Sequence, residues 1–127
     1  MSERLESLLG QGVDAIDTPA LVVDLDAANR NLQRMAEFAA AHGMRLRPHG
    51  KMHKSAWFAR LQMRAGAVGL CVQTVAEAEA LAAGGIDDVY ISNEVVSASK
   101  LSRVAALARQ LQARRGRLAI AVDSAEG

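Results

Sequence analysis

The stretch Met44-Arg45-Leu46-Arg47-Pro48-His49-Gly50-Lys51-Met52-His53-Lys54-Ser55 reads as a short strand, Met44 to Arg47, running into a basic turn that opens a helix. Proline has no amide hydrogen to give a sheet ladder, and it biases the preceding Arg47 toward an extended conformation. Gly50 lets the backbone turn, or approach a neighbour, where a Cβ would collide. A strand that ends this way presents Lys51 in the crevice where α/β proteins bind their ligands. Two readings of that lysine stand side by side. Clustered surface cations are commonly no more than a solvated loop. Neighbouring cations and partial burial also favour the neutral amine that attacks a carbonyl, as in Schiff-base lysines, and Arg47, Lys54 and any protonated histidine would act in that direction. His49 and His53 share a side if the segment is extended, yet two donors do not make a metal site, and loop or core roles compete.

Working outward, Leu5, Leu8 and Leu9 fall at helical spacing and predict a short helix or arm over residues 2–16, ended by Gly10 and Gly12. After Thr18-Pro19, the unbroken apolar run Ala20-Leu-Val-Val-Asp24 predicts a strand buried on both faces. Asp26 is the expected N-cap of a helix over 27–41, with Leu32, Met35, Ala36 and Ala39 on one face and Gly43 just past its end. Downstream, Ser55 is placed to cap a helix to Arg64 in which Trp57 is the expected anchor onto the sheet. Val68 to Val72 predicts a buried strand in which Cys71 is a small core residue. Thr74-Val-Ala-Glu77 has the pattern of a capping box, opening a helix that ends at Gly84-Gly85. A strand at Val89–Ser92, a helix over 98–114 and a strand at Leu118–Val122 follow.

Strand and helix thus alternate at the pitch of βα units, which predicts an α/β fold with a parallel sheet. No glycine-rich dinucleotide fingerprint or Walker motif follows any strand, so the expectation is a partial (β/α)8 TIM barrel rather than a Rossmann domain. A full barrel takes about 250 residues. The chain is therefore expected to be roughly the first half of one, with residues 1–17 an arm and 18–127 the N-terminal portion of a truncated barrel domain. Half the residues are hydrophobic and the formal net charge is +1, which excludes a disordered tail and gives no case for nucleic acid or an anionic membrane. The single cysteine excludes an internal disulfide framework and fits a reducing compartment. With neither a signal-like N-terminus nor a bilayer-length apolar run, a cytoplasmic protein is expected.

Thr18-Pro-Ala-Leu-Val-Val-Asp-Leu-Asp26, Arg45-Leu-Arg-Pro-His-Gly-Lys-Met-His-Lys-Ser55, Gly69-Leu-Cys-Val-Gln-Thr-Val-Ala-Glu-Ala-Glu79 and Ile91-Ser-Asn-Glu-Val-Val96 together resemble the N-terminal region of the D-threonine aldolase/D-serine dehydratase family, fold type III pyridoxal phosphate enzymes with an alanine racemase-like barrel. The resemblance implies that Lys51 forms the Schiff base with pyridoxal 5′-phosphate and serves as the catalytic lysine. It implies His49 as a close neighbour of the cofactor, against the competing role of holding the turn. Gln73 and Asn93, at successive strand exits, become candidate cofactor contacts, against the competing role of capping the next helix. The implied reaction is metal-assisted cleavage of a D-β-hydroxy amino acid, D-threonine to glycine and acetaldehyde. The alternatives are a D-serine dehydratase-type elimination, or a non-catalytic fragment or pyridoxal phosphate-binding protein. The family implies a divalent metal (Mn, Mg or Zn) with its ligands outside this chain, and a homodimer in the full-length form. Met52 stands where the family usually has threonine.

Overall fold

A computed structural model describes residues 6–125. Two compact units divide the chain, residues 1–31 and 32–127. The helices are α1 (Leu25–Ala41), α2 (Ala56–Arg64), α3 (Val75–Ala83) and α4 (Ala98–Ala113), and the strands are β1 (Leu70–Val72), β2 (Asp88–Glu94) and β3 (Arg117–Ala121).

In the first unit, Leu5 lies outside the described residues. Past Glu6 the chain runs in turns rather than continuing as a helix, and a short 3-10 turn follows at Val13–Ala15. Gly10, at φ 82°, takes a backbone conformation that no helix continues. The strand expected at 20–24 does not form: the segment has no ladder, and Leu21 is 92% exposed. Hydrophobicity alone does not make a strand, since its backbone groups need a neighbour to bond. Asp24, not Asp26, starts α1. Its Oδ1 accepts the amide hydrogen of Ala27 at 2.9 Å, and its carbonyl accepts that of Ala28. The helix thus begins a half-turn before the expected cap. Of its predicted inner face, Ala39 is buried while Met35 is exposed.

The second unit is built on a three-stranded parallel sheet in the order β1-β2-β3. Leu70 pairs with Val89, and Val89 in turn with Leu118. The segment 44–49 lies beside β1 without becoming a regular strand. It contributes the carbonyls of Leu46 to Val68 (2.9 Å) and of Pro48 to Cys71 (2.8 Å), and a single bridge links His49 with Cys71. Pro48 accounts for the break, because it presents a carbonyl but no donor to the ladder. These four parallel segments with their intervening helices form part of a (β/α)8 barrel, an α/β architecture as the alternating pattern predicts.

Side chains alternate across a strand. Leu70, Val72, Val89 and Ile91 are fully buried under the helices, packed with Ala59, Ala78, Leu81, Ala82, Leu107 and Leu111. Each such leucine or isoleucine contributes about 1.5–3 kcal/mol through burial. Cys71, Tyr90 and Ser92 alternate with these residues and belong to the other face, where His49 joins them. Small residues on α3 (Ala78, Ala82) let the helix lie close to the strands. Trp57 is not the expected anchor: it is 45% exposed and meets Phe58 edge-on at 5.1 Å, while Ala59 holds the buried position on α2. The helical phase explains this, since Ala56, Ala59 and Met63 form the inward row.

Candidate active site

Every connection at the lysine end of the sheet is fixed by a short-range motif. Gly50–Met52 forms a 3-10 turn directly after the His49 bridge, and the amide of Lys54 closes it on the Gly50 carbonyl at 2.8 Å. Gly50 is buried, and a Cβ there would come within 3.0 Å of Leu81 Cδ1. Ser55 then caps α2, its Oγ accepting the amide hydrogen of Phe58. Thr74 and Glu77 form the reciprocal capping box that the sequence pattern predicts.

The three cations of the turn have different partners. Arg47 Nη1 donates to Asp88 Oδ1 at 2.7 Å, and Lys54 Nζ lies 3.1 Å from Glu77 Oε1. Lys51 Nζ instead donates to a neutral acceptor, Gln73 Oε1, at 2.7 Å. The crowding of like charges expected around Lys51 is therefore not what the fold builds, because both flanking cations are neutralised by acids far along the chain. Among the described residues Lys51 is the one cation of the turn without an ion pair, and its side chain is exposed.

The two histidines have separate tasks. His53 Nδ1 accepts the amide hydrogen of Ser55 at 3.1 Å, so its Nε2 is the donor to Gln62 Oε1 at 3.2 Å. Both nitrogens are thus used in holding the turn to α2. His49 Nε2 lies 3.3 Å from Ser92 Oγ, whose single proton goes to the Val72 carbonyl at 3.2 Å. In the neutral ring Nε2 must then carry the hydrogen, leaving Nδ1 as an acceptor that is buried and has no partner. Among the described residues, no group of three or more His, Cys, Asp or Glu side chains is placed to hold a metal ion.

Gln73 reaches Lys51, and helix capping at this point belongs to Thr74. Asn93 is exposed and makes no side-chain hydrogen bond among the described residues. The β2–β3 register shifts between Ile91 and Glu94, and Ser97 caps α4. Asp123 is exposed beyond the end of β3.

Sequence reasoning did not single out Ser92 or the wider role of Glu77. Ser92 was findable from alternation, two residues past Tyr90 on the same face. Glu77 does more than cap: its Oε2 accepts from the amides of both Gln73 (2.9 Å) and Thr74 (3.2 Å), so it anchors the backbone that carries the Lys51 acceptor. Partial burial is the largest single influence on its carboxyl and pushes the pKa up. The Gln73 amide, Lys54 and the Thr74 amide together outweigh that and hold the pKa below 4.5. A carboxyl lowered in the folded state stabilises above its unfolded pKa, and that contribution is lost as pH falls through the folded value. Glu77→Gln should therefore cost about 1 kcal/mol at neutral pH, with the gap to the parent narrowing below pH 4.5. Urea titrations at both pH values test this, and a gap that widens in acid contradicts it.

The model of the family described as "Alanine racemase, N-terminal domain" matches residues 23–125. A 3-hydroxy-D-aspartate aldolase of Paracoccus denitrificans is 50% identical over 104 residues, 81% of this chain and 27% of that protein. The solved D-threonine aldolase of Filomicrobium marinum superposes with a TM-score of 0.81 at 49% identity, covering 88% of this chain and 29% of the other. The D-threo-3-hydroxyaspartate dehydratase of Delftia sp. HT23 gives a TM-score of 0.73 at 41% identity, over 86% of this chain and 27% of the other. The chain thus spans between a quarter and a third of the length of these relatives. A match that runs unbroken from the start of α1 past the end of β3, and takes in the lysine turn on the way, makes this chain a member of the alanine racemase N-terminal domain family.

Proposed function

We propose that this chain is the lysine-bearing part of a pyridoxal phosphate-dependent lyase acting on D-β-hydroxy amino acids, with aldol cleavage of D-threonine as its reaction. The observation that carries the reading is the state of Lys51: exposed, free of any acid, and held by a neutral amide oxygen. Such an amine is free to form a covalent bond without first breaking an ion pair. The donor set fits the cofactor: Lys51 would bond to its aldehyde carbon, with Gln73 and His49 beside it and Asn93 in the last residues of β2. When bound, the cofactor supplies an electron sink for the pair released as a bond to Cα breaks.

This chain's own residues do the positioning. Glu77 holds the Gln73 backbone, Gln73 orients the Lys51 amine, and Ser92 fixes the His49 ring through Nε2. Two aldolases among the relatives support cleavage over elimination. The dehydratase keeps elimination as the second reading. A form of that dehydratase is described as metal-free, and we infer a divalent metal for the complete enzyme, bound by residues outside this chain.

The test is direct. Mixing the protein with pyridoxal phosphate, reducing with borohydride and mapping peptides by mass should find the pyridoxyl group on Lys51. A label spread evenly over the surface lysines, or confined to Lys54 or Lys100, would remove the basis for this assignment.

A further inference from the structure

The opposite end of the sheet carries a second cluster of cations. A cavity of about 370 Å³ opens where α2, the α3–β2 loop and the α4–β3 turn meet, and Arg60, Arg64, Arg115 and Arg117 line it with Asp87 and Asp88. Four positive and two negative groups leave the lining at +2. Asp88 is engaged, accepting from Arg47 at 2.7 Å and lying 3.5 Å from Arg117, whereas Asp87 Oδ1 faces Arg114 at 3.6 Å and has no hydrogen-bond partner among the described residues. Arg60 gives one nitrogen to the Gly84 carbonyl. The side chains of Arg64 and Arg115 make no hydrogen bond or ion pair among the described residues.

The backbone at Arg115 adds an independent observation. All four helices among the described residues end in the same motif, in which the residue after the cap donates to the carbonyl three positions before it, and the next residue donates to the carbonyl five positions before it. The pairs are Gly43 to Ala40 with Met44 to Ala39, Gly66 to Met63 with Ala67 to Gln62, Gly85 to Ala82 with Ile86 to Leu81, and Arg115 to Gln112 with Gly116 to Leu111. The first of each pair has positive φ, at 63°, 105°, 88° and 61°. Glycine takes that conformation without steric cost, and three of the helices use it. At the fourth a strained arginine stands on the rim of the cavity although glycine is the residue the turn favours. Strain kept at a ligand-accessible position points to use of the side chain.

We propose that this cavity binds a phosphate-type oxyanion, such as the phosphate ester of a small molecule, through Arg64 and Arg115 with help from Arg60 and Arg117. Guanidinium forks match phosphate oxygens bidentately, and the cavity is large enough to admit more than a bare ion. The proposal does not depend on the activity assigned to Lys51.

Titrating the ¹⁵N-labelled chain with pyrophosphate at constant ionic strength should give saturable amide shifts at Gly85 and Gly116. Arg64→Ala and Arg115→Gly should each weaken binding about tenfold or more, the loss of one charge-assisted contact. Arg115→Gly should also raise the melting temperature, since it restores the favoured residue, so lost binding there cannot be ascribed to unfolding. Lys51→Ala should bind as the parent does. Absence of saturable shifts, tighter binding of succinate than of pyrophosphate, or indifference to both arginine substitutions would each overturn the proposal.

Discussion

Lys51→Ala should lose all borohydride-fixed pyridoxyl label and yet unfold in urea within about 0.5 kcal/mol of the parent. Both halves follow from the same geometry. The side chain is exposed, and its one hydrogen bond goes to the neutral Gln73. The turn that carries it is closed by backbone groups, Lys54 amide to Gly50 carbonyl, which alanine leaves untouched. Lys54→Ala is the matched control with the reverse profile. It removes the ion pair to Glu77, which at a largely exposed lysine is worth at most about 1 kcal/mol, and should leave the label in place. If Lys54→Ala lost the label and Lys51→Ala kept it, the contrast between paired and unpaired amines would have been read the wrong way round.

What could be read from the sequence was mostly local. The Thr74–Glu77 box, the Ser55 cap and the glycines past the helix ends are patterns four or five residues long, and the structure has each of them. The alternation of apolar runs with helical periods was enough for a parallel α/β sheet. Readings that depended on partners remote in sequence fared differently. The run Ala20–Asp24 has the composition of a buried strand, but composition does not supply the neighbouring chain a ladder needs. Trp57 and Ala59 are two residues apart, and only the packed helix decides which one faces inward. The cations around Lys51 were visible as charges, whereas their neutralisation rests on Asp88, 41 positions from Arg47, and on Glu77, whose capping pattern hid its second role. The His49–Ser92 contact spans 43 positions, and only the register of β1 and β2 brings it about. Lys51 itself needed no long-range information, because a lysine after a strand, Pro and Gly is a local signal.

Gly69→Ala should be a severely damaging small substitution in the second unit, costing about 3 kcal/mol or more in urea unfolding. An added methyl would stand 2.6 Å from the Asp88 carbonyl oxygen and 2.9 Å from Asp88 Oδ1, and closer still to Arg47 Nη1. The guanidinium alone could swing away, at the expense of its half-buried ion pair with Asp88. The carbonyl cannot, because Asp88 opens β2 and its neighbour Val89 is already paired with Leu70, the residue after Gly69. Relief would therefore require β1 and β2 to separate at the point where the fully buried Leu70 and Val89 meet in the core. Arg47→Ala provides the internal check. Placed in that background, Gly69→Ala should still destabilise by most of its original amount, since the clash with the β2 backbone remains when the guanidinium is gone. If Arg47→Ala instead abolished the effect, the close approach would belong to the ion pair and not to the strands.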